Sequence, residues 1–174
     1  MTSLFIDPST APTANATRHH GRRLALAWSA TSVTPAVLKV AFATDDRAAV
    51  NQHFGAAVGF AIYALDGERR QLVELAEFPP EAMDGNETRL PARIAALTGC
   101  AAVYCLAVGA SAVRQLLAAG IQPIRLDDEA AIEPLLKGIS SAIRHGGIAW
   151  VDKALHKESG TGRFERMAAD GWEE

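Results

Sequence analysis

The chain has little of several features that mark specialised classes of protein. Of its 174 residues only two are cysteines, Cys100 and Cys105, and only 6% are aromatic. Two thiols cannot build a disulfide framework or a four-thiolate iron-sulfur site. The formal net charge of −3 argues against a nucleic-acid partner. No apolar run approaches the roughly 20 residues that cross a bilayer, and the N-terminus lacks the basic start of a secretory signal. We therefore expect a cytoplasmic protein with no membrane or nucleic-acid partner.

The remaining composition is that of a globular domain, because 49% of the residues are hydrophobic and 21% are charged. Residues 1–36 are rich in Thr, Ser, Ala and Pro and show no sustained apolar period, so they predict a flexible N-terminal arm. Residues 37–147 carry the periodic apolar pattern of an α/β domain. Residues 148–174 predict a C-terminal helix and a polar tail.

Within the domain, apolar runs alternate with segments of helical spacing. Strands are predicted at 37–44, 59–65, 70–78, 100–108 and 121–126, and helices are predicted to end at Gly99, Gly120 and Gly146. The Asp66-Gly67 pair predicts a hairpin between the second and third strands, and Pro123 places the fifth at an edge. The order predicts a mixed five-stranded sheet in which strands one to three form an antiparallel meander. Strands four and five are then parallel to strand one.

The segment VNQHFGAAVGF, residues 50 to 60, holds the most distinctive group of side chains. His53 suits a metal ligand, an acid or base, or a hydrogen-bonded turn residue. Asn51 offers an amide donor, Phe54 can cover an apolar face, and Gly55 lets another group approach the backbone closely. A loop after the first strand lies on the rim of the sheet where ligands bind in open α/β folds.

These residues carry a resemblance to a known family. The frame KVAFATDDRAAVNQHFGAAVGFAIY, residues 39 to 63, resembles the nitrogenase iron-molybdenum cofactor biosynthesis family, the NifX and NafY group. CAAVYCLAVG, its following helix and IQPIRL are similar too, so the resemblance spans about 37–145. The ending FERMAADGWEE, residues 164 to 174, is similar to that of the NifX members.

The resemblance implies a three-layer ribonuclease H-like α/β fold and a carrier rather than an enzyme. Such a carrier binds an iron-sulfur precursor of the iron-molybdenum cofactor, or the cofactor itself. It hands its cargo to the assembly scaffold and works with the cofactor-synthesising protein. The family's histidine is the candidate cluster ligand, so His53 inherits that role, with Asn51, Phe54 and Gly55 beside it. A single neutral imidazole on iron is an exchangeable contact, which suits a carrier.

Two other functions are open. Carboxylates at strand ends can hold Mg²⁺ for phosphoryl transfer, although such residues commonly cap turns. The candidates are Asp45, Asp46, Asp66, Asp127 and Asp128. Alternatively, the protein is a metal-free regulatory interaction module that needs no ligand at His53.

The remaining candidates have ordinary structural interpretations. Cys105 lies in the middle of a predicted strand and is expected to be a small buried hydrophobe. Arg47, Arg89 and Arg93 are expected to be solvated, with balance of an anionic cargo as the alternative.

Overall fold

The computed structural model describes residues 22–25, 37–79 and 89–157. The strands are β1 Arg22–Ala25, β2 Leu38–Ala43, β3 Ala49–Val50, β4 Gly59–Leu65, β5 Arg70–Glu77, β6 Ala102–Cys105, β7 Gln122–Arg125 and β8 Ala130–Ala131. The helices are α1 Arg89–Ala96, α2 Ala110–Ala118, α3 Ile132–His145 and α4 149–157, with a short 3-10 turn at Phe54–Ala56. Across these ranges, no helix combines the length and apolar character of a membrane span.

The main sheet is mixed and runs in the order β1-β5-β4-β2-β6-β7. β2, β4 and β5 pair antiparallel, whereas β6 pairs parallel to β2 and β7 pairs parallel to β6. A mixed α/β sheet is therefore confirmed, with β7 at an edge, where the missing N–H of Pro123 is tolerated. The ribonuclease H-like name remains a prediction.

One strand lies inside the segment that the sequence predicts as a flexible arm. Arg22–Ala25 pairs antiparallel with β5, with Arg22 opposite Glu77 and Ala25 opposite Glu74. The main sheet therefore has six strands rather than five. RRLA has too short an apolar run to predict a strand, and it is the open edge of β5 that supplies the hydrogen-bonding partners. The rest of 1–36 lies outside the described residues.

The helices cover the sheet on both faces. Alternate residues of β6 point to opposite sides, so Val103 packs with the core that holds Leu97 and Leu116, next to α1 and α2. Tyr104 packs with the core of the other face, which holds Leu136 of α3 and Val151 of α4. The result is a three-layer α/β/α arrangement with two apolar cores.

The parallel strands give the sheet two structurally distinct rims. β2, β6 and β7 all end at one rim, which we call the carboxyl rim, and begin at the other, the amino rim. The loop 44–58, named the His53 loop, leaves β2 at the carboxyl rim. The segment 106–109 leaves β6 at the same rim and leads into α2. A small second sheet of β3 and β8 ties the His53 loop to the segment before α3.

Candidate functional site

His53 sits on a backbone that is held on both sides by the segment after β6. The Leu106 N–H donates to the Gln52 carbonyl (3.0 Å), and the Phe54 N–H donates to the Ala107 carbonyl (2.8 Å). β6 consequently ends at Cys105 rather than at residue 108 as predicted, because 106–107 pair with the loop. His53 therefore lies at the carboxyl rim, as the sequence predicts, next to the segment that leads into α2.

The imidazole of His53 faces solvent. The residue is exposed, and its extended backbone (φ −76°, ψ 141°) precedes the turn Phe54–Ala56. The Ala56 N–H donates to the His53 carbonyl (3.1 Å), which closes that turn. The ring makes no hydrogen bond within the described ranges, so both nitrogens are available to an incoming group from solvent.

Phe54 points the other way, into the core beneath the loop. Its side chain is fully buried, and its ring centroid lies 5.5 Å from that of Phe60. The sequence predicts Phe54 beside the cargo, but in this fold the ring is buried and does not face solvent. Contact of Phe54 with a cargo stays a prediction. Adjacent residues of an extended backbone point to opposite sides. Burying Phe54 therefore turns His53 outward.

Asn51 is committed to the loop itself. Its Nδ2 donates to Asp45 Oδ1 (2.6 Å), and its Oδ1 accepts from the Asp45 N–H (3.2 Å). Gln52 Nε2 donates to the other carboxylate oxygen of Asp45 (3.2 Å). Asn51 therefore holds the loop in this fold, and its role as a donor to a ligand stays a prediction.

Gly55 and Gly109 have no steric reason to be glycine. Neither has a positive φ, and a Cβ built at either position meets no heavy atom within 4 Å. Gly55 is exposed and follows the His53-Phe54 pair directly, while Gly109 is the N-cap of α2 and offers no side-chain cap. Both leave bare backbone at the carboxyl rim.

Four of the five carboxylates considered for phosphoryl transfer have structural partners. Asp46 Oδ1 accepts from the N–H groups of Ala48 (2.8 Å) and Ala49 (2.9 Å) and from Thr44 Oγ1 (3.0 Å). The Ala49 and Ala48 hydrogen bonds hold the pKa of Asp46 below its usual value.

Two further acidic candidates are occupied as well. Asp66 accepts from Glu68 and Arg69 in the β4–β5 turn, and Asp127 pairs with Arg125 at 3.0 Å. Among residues 37–79 and 89–157, no three His, Cys, Asp or Glu side chains gather in a way that could hold a metal ion. These partners are those of turn-capping residues, so the geometry gives no support to a two-metal site.

Arg93 is the residue that sequence reasoning misjudged most. Its guanidinium is buried and donates through Nε (3.3 Å) and Nη2 (3.0 Å) to the carbonyl of Ala57, and it lies 5.0 Å from the Phe78 ring centroid. Burial, and secondarily the charge of Arg89, lowers the pKa of Arg93. Arg93 therefore clamps the end of the His53 loop. The sequence contains an indication of this burial, because Arg93 is three residues after Leu90 and four before Leu97, on the apolar side of α1.

Arg47 has a different role. It adopts a left-handed backbone (φ 65°), which non-glycine residues rarely do, and its Nη2 lies 2.9 Å from Glu77 Oε1. Its side chain is exposed, as the sequence predicted, and the ion pair links the His53 loop to the end of β5.

Both cysteines are buried, and Cys105 is not available as a ligand in this fold. Cys105 is fully buried, and its Sγ lies 4.0 Å from the Ile124 carbonyl oxygen. Burial raises the pKa of the Cys105 thiol to about 11, against a smaller lowering by the Phe54 N–H. A thiol with that pKa stays protonated near neutral pH, and it is the thiolate that binds metals. The interpretation of Cys105 as a buried hydrophobe is confirmed.

Fold and site together define a class: a three-layer α/β domain that presents a solvent-facing imidazole from a hydrogen-bonded loop at the carboxyl rim. Residues 36–142 match the model of the dinitrogenase iron-molybdenum cofactor family, and the chain belongs to that family.

Within the family the chain is NifX-like. It is 49% identical over 140 residues to Protein NifX of Azotobacter vinelandii, which covers 79% of this chain and 89% of that protein. It is 34% identical over 121 residues to Protein NifX of Klebsiella pneumoniae, covering 69% and 72%. It is also 36% identical over 106 residues to the FeMo cofactor biosynthesis protein NifB of Frankia alni, covering 58% of this chain but 21% of that protein.

Proposed function

We propose that the protein carries an iron-sulfur precursor of the nitrogenase iron-molybdenum cofactor and passes it to the assembly scaffold. His53 is the ligand to iron. Family membership and the likeness to NifX and NifB proteins support a role in cofactor biosynthesis. The single observation that supports the site is the position of His53. Its ring is exposed, while its two neighbours, Gln52 and Phe54, are held by backbone hydrogen bonds to the segment after β6.

The chemistry of the site suits a cargo that must leave again. A neutral imidazole binds iron through one nitrogen, and with both cysteines buried the fold adds no thiolate to make the complex permanent. The cargo occupies the space above Gly55, next to His53, where a larger side chain is not excluded by the fold but would narrow the approach.

The start of α2 contributes favourable electrostatics. The N-cap Gly109 makes no side-chain cap, so the first N–H groups of the helix remain directed at the carboxyl rim. Such groups and the helix dipole favour negative charge, and the sulfides of an iron-sulfur cluster carry negative charge. Asn51, Phe54 and Arg93 act indirectly in this proposal, because each holds the loop rather than touching the cargo.

The test is anaerobic mixing of the apo protein with an isolated cofactor precursor, followed by gel filtration and iron analysis. Wild type should co-elute with iron, and His53→Ala should lose most of it because the ligand proposed among the described residues is gone. His145→Ala is the matched control, since His145 is also exposed but lies at the end of α3; it should retain iron like wild type.

Three outcomes separate the possible functions. Equal iron in wild type and His53→Ala removes His53 from the site. Absence of iron from every variant favours the metal-free interaction module instead.

For transfer, the loaded protein is mixed with the assembly scaffold and the two are separated again. Iron that stays with this protein after contact with the scaffold contradicts the carrier role.

A further inference from the structure

A cavity of about 780 Å³ opens at the amino rim, at the opposite end of the parallel strands from His53. Its size falls in the range of about 300–1,000 Å³ typical of clefts that bury a ligand. It lies between the beginning of β2, β6 and β7, the end of α2 and the outer face of α4. The side chains that matter here are Leu38, Leu117, Ile121, Trp150, Lys153 and Lys157.

The cavity combines an apolar floor with a positive edge. Leu117 is 51% exposed, which is unusual for a large hydrophobic side chain in the described part of this chain. Lys153 and Lys157 are exposed and lie one turn apart on α4, so both ammonium groups face the same side. An apolar patch with a charged edge is typical of a docking surface. The matching ligand is a segment with an aromatic anchor and flanking carboxylates.

The chain itself contains such a segment. Residues 158–174 follow Lys157 directly and carry five acidic and two basic residues. Three of the acidic residues, Asp170, Glu173 and Glu174, surround Trp172. The first five residues, ESGTG, include two glycines and can reverse the chain direction. From Lys157 to Trp172 the chain can span about 50 Å at roughly 3.4 Å per residue, far more than a return to the adjoining cavity needs.

We infer that residues 163–174 dock in cis into the amino-rim cavity, with the Trp172 indole on Leu117 and Trp150. The carboxylates of Asp170, Glu173 and Glu174 lie at Lys153 and Lys157. Exposed ion pairs contribute little each, so burial of the indole supplies most of the affinity and the charges set its orientation. Because the segment starts at the wall of the cavity, its effective concentration there is high, which favours cis docking over a second copy or a partner.

The experiment compares NMR spectra of the labelled full chain with those of full-length variants. Trp172→Ala should shift the amide of Gly120, the methyls of Leu117 and the indole N–H of Trp150, and should lower the heteronuclear NOE of residues 170–174. Trp28→Ala is the matched control, because it removes the same side chain from the other end of the chain; it should leave these signals in place.

Charge reversal tests the lysines separately. Lys153→Glu with Lys157→Glu should move the same signals in the same direction as Trp172→Ala but by less, because exposed ion pairs contribute less than the buried indole. Adding Glu173→Lys with Glu174→Lys should reverse most of that change. If Trp172→Ala leaves the signals of Gly120, Leu117 and Trp150 unchanged, the inference is overturned. Shifts that change on dilution of the wild type also overturn it, because they assign the cavity to a second copy. Neither result bears on cargo binding at His53.

Discussion

At the residue scale, the central feature is the division of labour between His53 and Phe54. The two are adjacent, yet His53 is exposed and Phe54 is fully buried against Phe60. The sequence predicts that both side chains belong to the cargo site. Which of them faces outward depends on how the loop backbone is oriented. That orientation is set by the hydrogen bonds of its residues 52 and 54 to Leu106 and Ala107.

Phe54→Ala should lower the free energy of unfolding by about 3–5 kcal/mol, because it removes a fully buried aromatic ring and leaves a cavity. His53→Ala should change it by no more than about 0.5 kcal/mol, since an exposed side chain without partners contributes little. Urea unfolding measures both. A stable Phe54→Ala variant that fails to retain iron would instead place the ring against the cargo.

At the scale of elements, the sequence predicts regular segments well and their tertiary partners poorly. β4 and α2 follow their apolar runs and their glycine ends, because each period shows in the residues themselves. β6 is shorter than its apolar run, since its last residues pair with the His53 loop. β1 is not predicted at all, because its stability depends on the open edge of β5.

The helix ends allow a matched comparison of two glycines. Gly99, three residues after α1, and Gly120, two residues after α2, have φ of 83° and 76°, so alanine at either position should cost about 1–2 kcal/mol of stability. A Cβ at Gly120 also comes within 2.8 Å of Lys157 Nζ, whereas Gly99 has nothing within 4 Å. Gly120→Ala should therefore cost slightly more.

The excess should disappear in a Lys157→Ala background, because only the end of that side chain is in the way. Urea unfolding of the four proteins of this double-mutant cycle measures the coupling. Equal losses from Gly120→Ala with and without Lys157 would show that backbone conformation alone sets the cost.

At the scale of the whole molecule, the parallel strands separate two surfaces. The six residues of β2 span about 17 Å at roughly 3.3 Å per residue. The His53 loop leaves at one end, and the cavity with Leu38 and Trp150 lies at the other. One rim can thus serve the proposed cargo, and the other the proposed docking of residues 163–174.

Substitutions at the two rims should act independently, since sites this far apart with no shared partners add to within about 0.3–0.5 kcal/mol. Lys153→Glu with Lys157→Glu should leave iron retention unchanged. His53→Ala should leave the NMR signals of Leu117 and Gly120, at the amino-rim cavity, unchanged. Iron analysis and NMR of the single and combined variants measure this. A loss of iron on charge reversal at α4 would reveal coupling between the rims.

The sequence by itself determined the mixed α/β class, the elements that glycine and proline delimit, and a family resemblance centred on His53. It could do so because periodicity and local motifs are properties of neighbouring residues. Only the tertiary structure decided that Phe54 and Arg93 are buried supports, that Asn51 is tied to Asp45, and that residues 22–25 extend the sheet. These roles depend on distant partners, such as Phe60, Ala57 and β5, which side-chain packing and backbone hydrogen bonding bring together.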